Sequence, residues 1–328
     1  MQASPLDRPP GTVLQSLTMK ILLTGGAGFI GSHVAAALLA AGHRVVVVDD
    51  LSAGDRTRIP PGASFHLADV ASGELDAIFA RERPDVVDHH AAQISVTASA
   101  RDPLADARVN ALGTLNVLEC CRRHGVRKVI FISSGGAIYG DATVERIPET
   151  WPPAPLSPYA IHKLTGEHYL RFYRAQHGLS FTSLRYANVY GPGQNPDGEA
   201  GVVAIFCTKL LRGETPVLNA YPDDPAGMAR DYVFVEDVAA ANVLALAKGG
   251  DGVFNIGTGT PVKTRELLEA IARLLGREAR WTPAGPRPGD LCRSCLDNRR
   301  ALEVLGWRPT HDLEAGLAKT VAWFQSHA

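Results

Sequence analysis

The sequence predicts an α/β protein built on a doubly wound parallel sheet, and three observations carry that expectation. Short apolar runs alternate with helical stretches from Lys20 to about Leu184. A glycine-rich loop, Gly25-Gly26-Ala27-Gly28-Phe29-Ile30-Gly31, joins the first apolar run to the first helix. Beyond Arg185 the alternation gives way to loops rich in glycine and proline, which marks a smaller α/β unit. Apolar strands separated by helices are what parallel βαβ units require, because helices cover both faces of the sheet.

In chain order, Lys20–Thr24 is expected as the first strand, Phe29–Ala41 as a helix and Arg44–Val48 as the second strand. Further buried strands are expected at Val86–His90, Lys128–Ser133 and Ser180–Arg185, with helices around Asn110–His124 and Tyr159–His177. The expected division is a nucleotide-binding domain over 19–184 and a smaller domain from 185–230 and 257–328. Residues 231–256 are expected to return to the first domain, with Asp231–Val235 and Val253–Ile256 as strands at the edge of its sheet. Residues 1–18 hold Pro5, Pro9, Pro10 and Gly11 without periodicity, and read as a disordered extension; Met19 is an alternative start.

The chain has 328 residues, of which 45% are hydrophobic, enough for a large core. Its formal net charge of −1 provides no field to gather nucleic acid or an anionic membrane. Runs such as Val34–Ala41 are too short to span a bilayer. Five cysteines in this length do not make a disulfide framework, so a reducing cytoplasm is the expected compartment.

Gly25, Gly28 and Gly31 follow a strand and open a helix, the context in which a GxxGxxG loop cradles a pyrophosphate. Glycines allow close backbone approach, and the helix N-terminus offers amides and the positive end of its dipole. Asp49 and Asp50 end the second strand, where a carboxylate accepts from the ribose hydroxyls and repels a 2′-phosphate. The cofactor expected is therefore NAD. Tyr159 and Lys163 lie four residues apart on one helix face, behind the Ser157-Pro158 helix start. A tyrosine with its ordinary pKa of about 10 is a poor base, but a nearby ammonium and a positive nicotinamide ring favour the phenolate. Alone, such a pair is common on surface helices.

Together these stretches resemble the extended short-chain dehydrogenase/reductases, in the NAD-dependent epimerase/dehydratase family, and most closely the bacterial UDP-glucose 4-epimerases. The resemblance covers Met19–Ala328 and rests on Thr24–His33, Asp69-Val70, His90-Ala91-Ala92-Gln93, Asn110–Thr114, Ser133–Gly140, the Tyr159/Lys163 pair, Leu184–Asn188, Arg230-Asp231-Tyr232 and Arg287-Pro288-Gly289-Asp290. It implies a homodimer that interconverts UDP-hexoses at C4, with Tyr159 as acid and base, Lys163 beside it and NAD retained between turnovers. By the same likeness, Gly25, Gly28, Phe29, Ile30, Gly31, Asp49, Asp50, Leu51, Ser52, Gly54, Asp69, Val70, Ala91, Ala92, Gln93, Asn110, Ser133, Tyr159, Lys163 and Tyr186 hold the cofactor. Asn188, Val202, Arg230, Arg287, Asp290 and Ser294 hold the UDP-sugar, the arginines gripping its diphosphate.

Two departures from the pattern matter. The position of the family's catalytic Ser or Thr is Gly135, so Ser134 or a water relays the proton, or Tyr159 contacts O4 directly. The neighbouring Gly136 and Ala137 stand where related dehydratases and decarboxylases carry acids, and neither can transfer a proton, which disfavours elimination. Ser294 stands where a bulky Tyr would exclude an N-acetyl group, so UDP-N-acetylglucosamine is an expected substrate beside UDP-glucose. Another UDP-sugar, UDP-glucuronate or a UDP-pentose, is the enzymatic alternative; a non-catalytic NAD sensor is the alternative from another class. The Cys292/Cys295 pair and His89-His90 lack the partners of a metal site, and no metal is expected.

Overall fold

A computed structural model describes residues 18–196, 201–287 and 291–327. The chain opens with β1 (Lys20–Thr24), α1 (Phe29–Ala40), β2 (Arg44–Asp49), β3 (Ser64–Leu67), α2 (Glu74–Glu82) and β4 (Val86–His89). Two short helices follow, α3 (Val96–Arg101) and α4 (Pro103–Ala107), the second running through a π-helical turn (Arg108–Gly113) into α5 (Thr114–Arg123). Next come β5 (Lys128–Ser134), α6 (Pro158–His177), β6 (Ser180–Tyr186), β7 (Asn188–Tyr190), α7 (Val202–Leu211) and β8 (Val217–Asn219). The remainder is β9 (Ala229–Phe234), α8 (Val235–Ala247), β10 (Gly252–Ile256), β11 (Pro261–Lys263), α9 (Thr264–Leu274), β12 (Thr282–Ala284), β13 (Arg293–Ser294) and α10 (Leu313–Ser326).

Seven strands form one parallel sheet in the order β10-β6-β5-β4-β1-β2-β3. Their centres are apolar on both faces: Ile21, Leu22, Leu23, Val46, Val47, Ile130 and Phe131 are all buried. Residues that alternate along these strands divide between two cores. One, beneath α1 and α8, includes Leu23, Val47, Ile132 and Leu184. The other, beneath α2, α5 and α6, includes Leu22, Val48, Phe131 and Phe181. At about 25 cal/mol per Å² of buried apolar surface, such two-sided burial is the main stabilising term of the sheet.

The Asp231–Val235 expectation needs correcting. β9 spans Ala229–Phe234 and does not enter the main sheet; it pairs β11 antiparallel and β13 and β7 in parallel, in a separate small sheet. Val235 already begins α8, which packs on α1. Only β10 returns to the main sheet, as the neighbour of β6. The small sheet covers a third core with α7, α9 and α10, built on Phe206, Phe234, Leu267 and Leu317. The helix expected over Asn110–His124 is also interrupted, since its first turn is π-helical.

Candidate active site

At the carboxyl end of β1, Gly25 adopts φ +70, and a Cβ there would stand 2.6 Å from the amide of Ala91. A Cβ on Gly31 would run into the Gly25 carbonyl. Both glycines are therefore required by packing, whereas Gly28 faces a more open space. Gly28 begins α1 without a side-chain cap, so the amides of Phe29 and Ile30 in the first turn remain directed at the loop. Asp49 closes β2 with one oxygen accepting from Ala27 N at 3.0 Å and the other from Leu51 N at 2.9 Å. Burial pushes its carboxyl up, and those two amides oppose the shift. Leu51 sits at φ +59, a left-handed conformation that a leucine adopts only under constraint. A Cβ on Gly54 would lie 2.9 Å from Ala27 Cβ and from Asp49 Oδ1, so the turn that follows β2 closes on the glycine loop. Asp50 is exposed and accepts from Ser52 N and Oγ at 2.9 and 2.6 Å.

The remaining cofactor candidates gather at the same strand ends. Asp69 pairs with Arg108 at 2.5 Å beside the buried Val70. Ala91 N donates to Thr24 Oγ1 at 3.2 Å, and Gln93 N donates to Asn110 Oδ1 at 3.1 Å, with Ala92 between them. Ser133 presents a buried hydroxyl with no hydrogen-bond partner. Tyr186 is buried; its hydroxyl accepts from Asn242 Nδ2 at 2.6 Å and its carbonyl accepts from Gly135 N at 2.8 Å. A close-packed glycine loop, an uncapped helix start and a strand-end carboxylate fit an NAD dinucleotide. His89, by contrast, is not a metal ligand, because Thr24 and Thr114 take its two nitrogens at 2.7 and 3.0 Å. Burial pushes its pKa down to about 3, which keeps it neutral.

Ser157 starts α6 by accepting from Ala160 N at 3.3 Å, with Pro158 in the first turn. That cap fixes Tyr159 near the loop end and leaves Lys163 one turn on, inside the protein. Lys163 Nζ donates to the Ile132 carbonyl at 2.8 Å and lies 6.0 Å from the centre of the Tyr159 ring. The Ser134 side chain lies near enough to the Tyr159 phenol to favour its ionised form. Burial pushes Tyr159 up to about 12, with the neighbouring Ser134 lowering it and the Asp106 carboxylate raising it. Burial likewise pushes Lys163 down to about 8. The protein alone thus acts against the phenolate, because burial outweighs the lowering effect of Ser134. A cationic nicotinamide ring acts in the opposite direction.

Gly135 cannot simply have lost a hydroxyl. A Cβ there would sit 2.5 Å from Leu296 Cδ1 and 3.2 Å from the Arg185 carbonyl. Asn188 comes to the same loop, its Oδ1 3.5 Å from the Cβ that Gly136 lacks. In the small sheet Asn188 stands opposite Tyr232, and Ser294 opposite Arg230. Period-two alternation puts Asn188, Arg230 and Ser294 on one face. Ser294 is buried, Arg230 is half-buried and Val202 begins α7 at intermediate depth. Arg287 is exposed, and Asp290 lies outside the described residues. Cys292 is exposed and Cys295 buried; neither forms a disulfide.

Sequence reasoning missed several site residues. Asp231, buried on β9, accepts from Thr258 N and Gly259 N at 2.8 and 3.0 Å and from Leu296 N at 3.2 Å. It thereby holds Leu296 against Gly135. Asp106 and His162, 56 positions apart, meet beside the Tyr159/Lys163 pair. An acid four residues ahead of Asn110 in a helical stretch is the only sign of this in the sequence.

A glycine loop on a doubly wound sheet, with a Tyr–Lys pair and a Ser at the strand carboxyl ends, defines an NAD-binding protein of the dehydrogenase/reductase type. A profile of the NAD dependent epimerase/dehydratase family matches residues 21–257, and the chain belongs to that family. It is 47% identical to the UDP-glucose 4-epimerase of Mycolicibacterium smegmatis, over 94% of this chain and 99% of that one. Among solved structures, it is similar to the UDP-glucose 4-epimerase of Thermus thermophilus in complex with NAD. That match has 48% identity and a TM-score of 0.91, and covers 94% of this chain and 100% of the other. The UDP-N-acetylglucosamine 4-epimerase of Methanobrevibacter ruminantium is 32% identical with a TM-score of 0.89, covering 95% of this chain and 99% of that one.

Proposed function

We propose that this chain interconverts UDP-hexoses by epimerisation at C4, acting on UDP-glucose/UDP-galactose and on the corresponding N-acetyl pair. The observation that carries the reading is Lys163 Nζ, held by the Ile132 carbonyl 6.0 Å from the Tyr159 ring centre, on strand ends that also carry the dinucleotide cradle. NAD held in that cradle would supply a reversible two-electron hydride acceptor for the sugar C4. Tyr159 takes the O4 proton as the C4–H bond breaks and gives it back when that bond re-forms. Ser134 orients the phenol, and Lys163 holds a positive charge near it. Arg230, Arg287 and Asn188 hold the diphosphate, so that the sugar turns about a fixed anchor. Gly136 and Ala137 offer no proton for elimination, so the 4-keto sugar has only the return path.

In this reading residues 19–184, with the returning α8 and β10, bind NAD, and 185–230 with 257–328 bind the sugar nucleotide. The protein works as a homodimer: Leu112 on the π-turn and Ile161 and Phe172 on α6 are 59%, 47% and 51% exposed. Ile161, Thr165, His168 and Phe172 follow one another along a single face of α6, the geometry of a helix-packing stripe. Five free cysteines suit the reducing cytoplasm. Incubation of the pure protein with UDP-glucose, UDP-N-acetylglucosamine or UDP-glucuronate, followed by chromatographic resolution of epimers, tests the function. Turnover of the first two is expected; no turnover of any of the three overturns it.

A further inference from the structure

Asp106 lies on α4 with a fully buried side chain, and no step above uses it. Its oxygens serve three elements. Oδ1 accepts from Gln93 Nε2 at 2.7 Å, after β4, and from Asn110 Nδ2 at 2.8 Å, in the π-helical turn. Oδ2 meets His162 Nδ1 at 2.5 Å, on α6 between Tyr159 and Lys163. Asn110 Nδ2 also donates to the Gln93 carbonyl at 2.9 Å, which locks the first two elements together. A carboxylate this deep is tolerated only when paired and fully hydrogen-bonded. Its negative charge reaches both Tyr159 and Lys163.

The other charged groups packed around the couple are accounted for. His89 on β4 is neutral. Arg108 in the π-turn is committed to Asp69, and Arg101 at the end of α3 is exposed. Lys163 is turned to the Ile132 carbonyl of β5. His162 is thus the ring that hydrogen-bonds the Asp106 carboxylate next to Tyr159.

We propose that Asp106 and His162 are positioning residues for the epimerisation, clamping the first turn of α6 to the cofactor-side loop and setting the charge that the Tyr159 phenol meets. This rests on the C4-epimerase reading. An uncountered carboxylate favours the neutral phenol, and a missing carboxylate favours the phenolate. The two halves of the couple therefore act in opposite directions on one proton.

The test uses two near-isosteric variants of the NAD-containing protein, His162→Asn and Asp106→Asn. Asn at 162 keeps an N–H near the Nδ1 position and removes the imidazole ring. The acid limb of the kcat–pH profile is expected to move to higher pH in H162N and to lower pH in D106N, each by roughly 0.5–1 unit. KM for UDP-galactose and the NAD content should stay within about twofold of the parent, on the scale of a weak interaction. A clamp without an electrostatic role would lower kcat and move neither limb; limbs that stay put or move together overturn the proposal. A parent that turns over no sugar nucleotide fails the epimerase reading instead. In that case the phenolate absorbance of each variant, differenced against its Tyr159→Phe partner, still reports whether the Tyr159 titration moves in opposite directions.

Discussion

Lys163 keeps an ammonium where the surroundings make one costly. Its pKa of about 8 against an ordinary 10.5 means that the folded chain releases this proton before the unfolded chain does. Below pH 8 both states hold the proton and the burial cost is fully present. Between pH 8 and 10.5 the unfolded state binds more protons, so stability rises with pH, by about 3 kcal/mol for one group. Denaturant melts of the parent and of Lys163→Met at several pH values should show the parent gaining on the variant across that window; a constant difference would contradict the assignment. Gly135 gives a second prediction at this scale. Gly135→Ser should cost about 1–3 kcal/mol through its collision with Leu296, and Leu296→Ala should recover part of that cost in the double variant. Additive losses in a thermal-melt cycle would mean that the two do not touch.

At the scale of elements, the small sheet brings the proposed sugar-nucleotide residues together. β9 places Arg230 beside Ser294 of β13, and β7 brings Asn188 to the same face. Ser294→Tyr should lose UDP-N-acetylglucosamine turnover at least roughly tenfold while keeping UDP-glucose within about threefold, the scale of filling one pocket with a bulky group. Equal loss on both substrates in an epimer assay would sink the gate. Elements also show what was readable beforehand. β1, β2, β4, β5 and β6 were legible because burial on both faces forces apolar runs. β3 was not: Ser64-Phe65-His66-Leu67 is a half-exposed edge strand with no such run. β9 was legible as a strand but not as a member of another sheet, because a six-residue segment does not encode its partner. The glycine loop and the Tyr159/Lys163 pair were legible because their chemistry is local in sequence. The Asp106–His162 meeting and the Leu296 wall behind Gly135 depend on contacts between distant segments.

For the molecule as a whole, the exposed apolar stripe on α6 is the surface that bears on assembly. If Ile161 and Phe172 meet a second copy, Phe172→Asp should shift the sedimentation of the protein from dimer to monomer while NAD stays bound. A parent that already sediments as a monomer would remove the dimer from the account. The Arg185–Glu167 pair, 2.5 Å apart and buried between α6 and β6, belongs to this scale because it braces the helix that carries Tyr159 against the sheet. Arg185 also donates to Tyr139 at 2.7 Å, and Tyr139 donates to Asn255 of β10 at 2.8 Å. One buried chain of polar groups therefore ties α6 to an edge strand that arrives late in the sequence.

That lateness has a consequence for how the protein is made. Val34, Ala35 and Leu38 of α1 find their cover on α8, through Val238, Ala241 and Ala245, far downstream in the chain. While the ribosome extends the chain, the α1 face of the sheet stays greasy and uncovered until α8 and β10 have left the exit tunnel. Nascent chains stalled before that point are expected to be bound by chaperones and cut readily by protease. Those stalled after it should turn resistant in a single step, because the apolar face of α1 is buried only when the late elements arrive.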